Sequence, residues 1–440
     1  MSKQRIQLSD HFTYSRLLRF VLPCIGTMLF TSIYGIVDGL CVSNFVGKTA
    51  FAAVNLIMPL PMLLGTIGFM LGTGGSAIVG ITLGEGDQKK ADRYFTLFLL
   101  AALISVSVLA VLGIVFLRPI AVLLGAKGEL LDYAVRYGRI LMVSLPTFAL
   151  QNMFQSFFVT AEKPHLGFWF TVGAGCTNMV LDVLMVGIWG WGVEGAAIAT
   201  FISQLVGGVL PVFYFIDRSN SSRLHLCKTS FYSKVLRDAC INGSSELMTN
   251  LSMSLVNILY NYQLLRLAGE NGVAAYGVIM YAAFLFVAVF VGYAVGSAPI
   301  VSFHYGARNH AEVHNLYRKS LRLIAVVAVT LTLASMFIIP CVARIFVGYD
   351  AELLALTSRA FRLYALSFLI MGFNVYASSF FTALGDGVTS ALISFLRTLA
   401  FQVIAILLLP LLLGIDGIWL AVTAAELAAL AVSAAMLLTK

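Results

Sequence analysis

The chain has 440 residues, 60% of them hydrophobic and only 11% charged, whereas a soluble domain carries roughly half apolar and about a quarter charged residues. A soluble enzyme is excluded, and the apolar residues suffice for about twelve membrane spans of some 20 residues each. The net charge of +8 then reads as basic cytoplasmic loops, not as a nucleic-acid surface, and no nucleic-acid partner is expected.

Lys3, Arg5, Arg16 and Arg19 precede a first apolar run, 20–43, that has no small-residue cleavage site. It reads as a retained span and not as a removed signal peptide. Further apolar stretches lie at 51–83, 94–117, 133–160, 165–188 and 194–216. After a polar break, a second set follows at 239–265, 273–303, 321–346, 360–384, 389–413 and 416–438. The predicted architecture is therefore an all-α polytopic membrane protein of 12 transmembrane helices. Its N-terminal lobe would span 1–216 and its C-terminal lobe 238–440, with a linker at 217–237 that carries Arg218, Arg223, Lys228, Lys234 and Arg237. Lys and Arg favour the side holding both termini and the linker by roughly two to one, which assigns that side to the cytoplasm.

Cys24, Cys41, Cys176, Cys227, Cys240 and Cys341 are dispersed, with no CxxC pair and no histidine cluster beside them, so neither a disulfide framework nor a zinc site is indicated. His304, His310 and His314 stand with Arg308, Arg318 and Lys319 in what reads as a solvated loop. No Ser-His-Asp arrangement or phosphate-loop lysine is present, and no covalent catalysis is expected.

The two halves overlay. Glu129, Arg136, Arg139 and Ser156 match Glu352, Arg359, Arg362 and Ser379 at one offset of 223, and Gly75, Gly84 and Glu194 recur as Gly296, Gly306 and Asp416. Six spans per half in the same order relate the lobes by an axis along the membrane normal, an arrangement suited to rocking about a central cavity.

After duplication, positions polar in one half and apolar in the other are informative. Asp38 sits deep in the first span, and Asn178 and Asp182 share one face of the fifth. Asn152 and Gln155 stack on the fourth, and Thr200 and Gln204 on the sixth. Asn152, Asn178, Asp182 and Thr200 correspond to Val375, Phe401, Ala405 and Val422, so the polar core is expected in the N-terminal lobe alone. Two carboxyls in a low-dielectric interior cost several kcal/mol each if charged and unpaired. They must be protonated, bound to a cation, or surrounded by donors. Such a site can load and unload a proton, and the same oxygens could instead coordinate Na⁺; a polar knot that merely fixes helix packing is the plain alternative. The C-terminal lobe keeps a thinner set of candidate cavity or substrate residues, Glu246, Asn257, Asn374 and Glu426, with Arg397 as a potential partner of Glu426. Pro23 removes a backbone hydrogen bond within the first span and is a candidate hinge.

Six plus six spans, a basic linker, Pro23 and Asp38 in span one, Gly47 and Ala52, Ala53 after it, Gly84 after span two, and Asn178 with Leu181 and Asp182 in span five resemble the multidrug and toxic compound extrusion family, in particular its MepA-like bacterial branch. The resemblance covers nearly the whole chain. It implies a V-shaped central cavity and export of small organic, often cationic, compounds in exchange for H⁺ or Na⁺ by alternating access. It further implies a monomer in the inner membrane of a bacterium, with no cofactor beyond the coupling ion. The family's N-lobe cation site would map to Asp38, Asn178, Asp182 and Thr200, with Asn152 and Gln155 nearby; Gln155 is a departure where members carry Asn. Glu246 resembles the acid of a C-lobe site, but span ten has Asn374 and Ser378 and no acid, so H⁺ is favoured over Na⁺. A lipid-linked saccharide flippase would need several basic cavity residues, and a major-facilitator transporter a different loop after span two, which here reads Gly84 to Lys90.

Overall fold

The structure, a computed structural model, describes residues 6–348 and 350–438, apart from the side chains at 39–44, 48, 342, 345, 346 and 438. Lys3, Arg5 and the side chain of Cys41 lie outside the described residues. The other five cysteines are free thiols.

The first half is built of α1 (Tyr14–Phe45), α2 (Lys48–Ile57), α3 (Pro59–Gly84), α4 (Gln88–Leu123), α5 (Gly128–Thr160), α6 (Pro164–Asp182), α7 (Gly192–Gly208) and α8 (Leu210–Ile216). The second comprises α9 (Ser233–Asn242), α10 (Ser244–Gly306), α11 (His310–Val347), α12 (Ala351–Ala365), α13 (Phe368–Ala383), α14 (Gly387–Phe395), α15 (Phe401–Leu413) and α16 (Ile415–Leu438). Among the described residues nine helices are long and apolar enough to cross a bilayer, and the pair α12 and α13, bent by 46°, makes a tenth crossing. α10 is two helices joined at Gly269, whose φ of 60° and ψ of −151° lie outside the helical region. α5 has the length of a span at 33 residues and falls short in apolarity because Gln151, Asn152 and Gln155 cluster in it. Counting both gives a pattern consistent with twelve. The helices run past the apolar windows by several residues at many ends. Their polar first turns are stabilised by side-chain caps, such as Asp87 accepting from Lys90 N at 3.0 Å and Asn309 accepting from the Glu312 N–H at 3.1 Å.

The internal repeat is written in the turns. Left-handed backbone occurs at Gly47 and Gly269, Gly86 and Arg308, Glu162 and Gly385, and Gly192 and Gly414, each pair 222 or 223 positions apart. Arg136 pairs with Glu194 at 3.8 Å in the first half, and Arg359 with Asp416 at the matching place in the second. These exposed pairs contribute little energy but report the same local geometry in both halves.

Large apolar side chains such as Leu123, Phe337, Leu411 and Leu412 are largely exposed on the outer helices, as a lipid-facing surface requires. Trp189 and Trp191 stand exposed at a span end, where amphipathic rings favour the interface. The halves meet along α1 and α3 against α10. At the end that carries the linker this seam is tight: a Cβ on Gly84 would lie 2.0 Å from the carbonyl oxygen of Phe303, and one on Gly306 2.1 Å from that of Ile81.

The N-terminal segment and the linker cover this same end. Leu8 and Phe12 are fully buried. Glu162, in the first half, accepts from the Leu8 N–H at 2.9 Å and from Arg223 Nη1 at 2.6 Å. Glu312, in the second half, accepts from the Phe12 N–H at 2.9 Å and lies 2.6 Å from His11 Nδ1. His304, expected on a solvated surface, is 3% exposed and packs edge-on against Phe12 and Phe303. It was misplaced because the segment that buries it is remote in sequence. His310 and His314 are exposed as expected.

Candidate functional site

α1, α6 and α7 are neighbours in the first half and bring polar side chains together. Asp182, the last residue of α6, is fully buried; Asp38 on α1 is half-buried; and the two carboxyls are close enough to interact electrostatically. Two ionised carboxylates repel, so this proximity is favourable only with a proton or a cation at the pair. One turn earlier, Asn178 donates from Nδ2 to Thr200 Oγ1 on α7 at 3.5 Å. The helix passes at Asp182 into a π-helical turn, Val183–Ile188, a local widening common at functional positions.

The remaining oxygens lack donors. Asp38 Oδ1, both carboxylate oxygens of Asp182, Asn178 Oδ1 and Gln204 Oε1 are buried and receive no hydrogen bond among the described residues. Unsatisfied buried acceptors are costly, and a proton or an oxygen-seeking cation would satisfy them. No cluster of three or more His, Cys, Asp or Glu suited to a metal occurs among the described residues; the donor set here consists of two carboxyls with amide and hydroxyl oxygens.

Tyr137 on α5, 1% exposed, interacts electrostatically with both acids. It was missed by the sequence comparison although the signal was present, since its counterpart at the offset of 223 is Ala360. Asn152 and Gln155 lie farther from the pair. Asn152 is on the order of 22 Å along α5 from Tyr137. Gln155 faces a small hollow with Cys24, Thr27 and Met28 of α1, roughly three to four helical turns before Asp38. α1 itself runs as one helix through Pro23.

A cavity of about 340 Å³ is lined mainly by the second half, with Thr73, Ser76 and Ser156 from the first. Glu246 and Asn257 from the first part of α10, Arg397 from a π-helical turn at Leu396–Ala400, and Glu426 from α16 line it. Arg397 Nε donates to Glu426 Oε1 at 2.8 Å, and Asn374 Nδ2 donates to Glu426 Oε2 at 2.7 Å. Asn374 is itself fixed by Ser433, whose hydroxyl donates to its Oδ1 at 3.0 Å. Glu426 and Asn374 are fully buried. Asn257 Oδ1 accepts from the Tyr276 hydroxyl at 2.7 Å, and Tyr276 stacks on Tyr260 with ring centres 4.9 Å apart. A polar core confined to the N-terminal lobe is thus corrected: the second half has its own, built on an ion pair. Its members, including the potential pairing of Arg397 with Glu426, are readable in the sequence as a thinner polar set, and the pair forms. The overlay sets Arg397 opposite Ala174.

A duplicated helical bundle with buried acids in both halves is joined by a direct sequence match. The MatE family model matches the chain twice, over residues 23–184 and 247–408. The chain belongs to the MatE family. Curated relatives of this MatE chain include the multidrug export protein MepA of Staphylococcus saprophyticus, 21% identical over 411 residues, which cover 92% of this chain and 88% of the relative. The corresponding protein of Staphylococcus aureus (strain MSSA476) is 22% identical over 421 residues, 95% of this chain and 92% of the relative. Among solved structures, one described as the outward-facing conformation of a multidrug resistance MATE family transporter superposes with a TM-score of 0.92 at 23% identity, covering 98% of this chain and 97% of that one. The MatE fold therefore extends over essentially the whole chain.

Proposed function

We propose that this MatE protein is a secondary antiporter that exports small organic, often cationic, compounds from a bacterial cytoplasm in exchange for H⁺ or Na⁺. The observation that carries the reading is the proximity of Asp38 and Asp182 among buried oxygens that receive no hydrogen bond. A carboxyl pair of this kind holds one positive charge when loaded and repels itself when empty. Occupancy is thereby tied to the packing of α1 against α6, the packing that a rocking lobe would alter. Asn178 and Thr200 would complete a Na⁺ shell with their oxygens, while the pair alone suffices for a proton, and H⁺ is the favoured ion. Pro23 would let α1 bend between the two conditions.

The multidrug export relatives support the substrate class, and the basic linker and terminus support a cytoplasmic placement of both ends. The tight seam at the linker end would then make the structure the outward-facing state of a monomer in the inner membrane, with residues 1–216 and 238–440 as the two lobes. Among the described residues Arg397 is the guanidinium near mid-span, and Glu426 already occupies it, which argues against a pyrophosphate-carrying lipid as cargo. The family match removes the major-facilitator alternative.

The test is dye efflux in everted vesicles driven separately by a pH gradient and by a Na⁺ gradient. Asp38→Asn and Asp182→Asn are expected to abolish export under the gradient that drives the parent protein. Undiminished export by both variants would overturn the reading.

A further inference from the structure

The cavity lined mainly by the second half contains two acidic side chains and one basic side chain, whose charges do not cancel. Arg397 is committed to Glu426 by a 2.8 Å hydrogen bond and ion pair. The second oxygen of Glu426 is committed to Asn374 at 2.7 Å. Glu246 lines the same cavity and within electrostatic reach of Arg397, yet its carboxyl accepts no hydrogen bond among the described residues. Ionised, the three sum to a single negative charge, and that charge resides on the carboxylate left open to the cavity.

The walls around Glu246 suit a large, polarisable guest. The stacked rings of Tyr260 and Tyr276, the side chain of Tyr364 and the thioethers of Met253, Met280 and Met371 all line the space. Aromatic faces attract cations, and thioethers adapt to varied apolar shapes. A volume of about 340 Å³ lies within the range of drug-sized pockets, roughly 300–1,000 Å³.

We propose that this cavity binds aromatic monocations with their positive charge at Glu246, and that the Arg397–Glu426 pair sets this charge preference by cancelling the second carboxylate. Arg397 is a specificity-determining residue that acts through charge balance and not through contact with the guest. A second positive charge on the guest would find no second free carboxylate, and an anion would meet Glu246 unscreened. The inference rests on the reading of the chain as an exporter of organic compounds but concerns a different site from the acid pair of the first half.

Equilibrium binding to the purified full-length protein, without any ion gradient, tests the proposal. Ethidium serves as the monocation and propidium, with the same ring system, as the dication. The parent protein is expected to bind ethidium more tightly than propidium. Glu246→Gln and Glu426→Gln each bring the cavity to zero net charge and are expected to weaken ethidium binding by about tenfold or more. The double variant Arg397→Gln with Glu426→Gln restores the single negative charge, and ethidium affinity should return to within about threefold of the parent. If the ion pair were only structural, the double variant would bind no better than Glu426→Gln. That result, an unaffected Glu246→Gln, or tighter binding of propidium by the parent would each overturn the proposal. Because binding is read without a gradient, failure here is distinct from failure of the coupling reading, which is scored on gradient-driven export.

Discussion

Asn374 shows how one side chain can hold a buried network together. Its amide donates to both the side chain and the backbone carbonyl of Glu426 and accepts from Ser433, linking α13 to α16 with no exposed atom. Asn374→Ala would leave a buried carboxylate oxygen and a hydroxyl without partners, at a cost of about 1–3 kcal/mol for such a group. A lowered thermal midpoint of the purified protein in detergent is the expected outcome. The same variant leaves Arg397 on Glu426, so its folded fraction should still bind ethidium. Asn374 was legible in the sequence as a polar residue in a span, but its partner was not. Fifty-two positions separate it from Glu426, and no local periodicity encodes that pairing.

At the scale of elements, the N-terminal segment and the linker act as straps between the halves. Glu162 adopts left-handed backbone at φ 60°, where its counterpart in the other half is Gly385 at φ 80°. A non-glycine residue there carries roughly 1–2 kcal/mol of strain, offset by the hydrogen bonds that its carboxylate accepts from Leu8 and Arg223. Arg223 also lies over the ring of Phe303, 4.9 Å from its centre, in the second half. Glu162→Ala and Glu312→Ala, one at each end of the strap, are each expected to raise amide hydrogen exchange at Leu8 and Phe12 by about tenfold or more. Mass spectrometry of the exchanged N-terminal peptide measures it, and unchanged protection would show that apolar burial of Leu8 and Phe12 alone holds the segment. Span positions were readable because a 20-residue apolar run is a local property. The strap was not, since residues 6–13 show no periodicity of their own and are held by side chains some 150 and 300 positions away.

At the scale of the whole molecule, the glycine seam decides which end is closed. Gly84 and Gly306, equivalent in the two halves, each approach the backbone of the opposite half so closely that a methyl group has no room. The obstacle is main chain on both sides and cannot rotate away. Gly84→Ala is therefore expected to disfavour the form closed at the linker end. Spin-label distances between the starts of α4 and α11 should lengthen or broaden toward longer values. An unaltered distribution would mean that the seam relaxes by sliding and carries no preference between the two states.

The apolar all-helical character, the approximate course of the long helices, the duplication and the family were legible in the sequence alone, because hydropathy, turn glycines and a constant repeat offset are properties of neighbouring or regularly spaced residues. Only the tertiary structure decided which polar side chains meet. It brought Asp38, Asp182 and Tyr137 within electrostatic reach of one another, moved Gln155 to a different stretch of α1, buried His304 under Phe12, and closed Arg397 onto Glu426 in the cavity that Glu246 also lines. The physical reason is that a buried charge is stable only with a partner. In a bundle of long helices that partner is selected by which helices pack and at what depth, information that no single span contains.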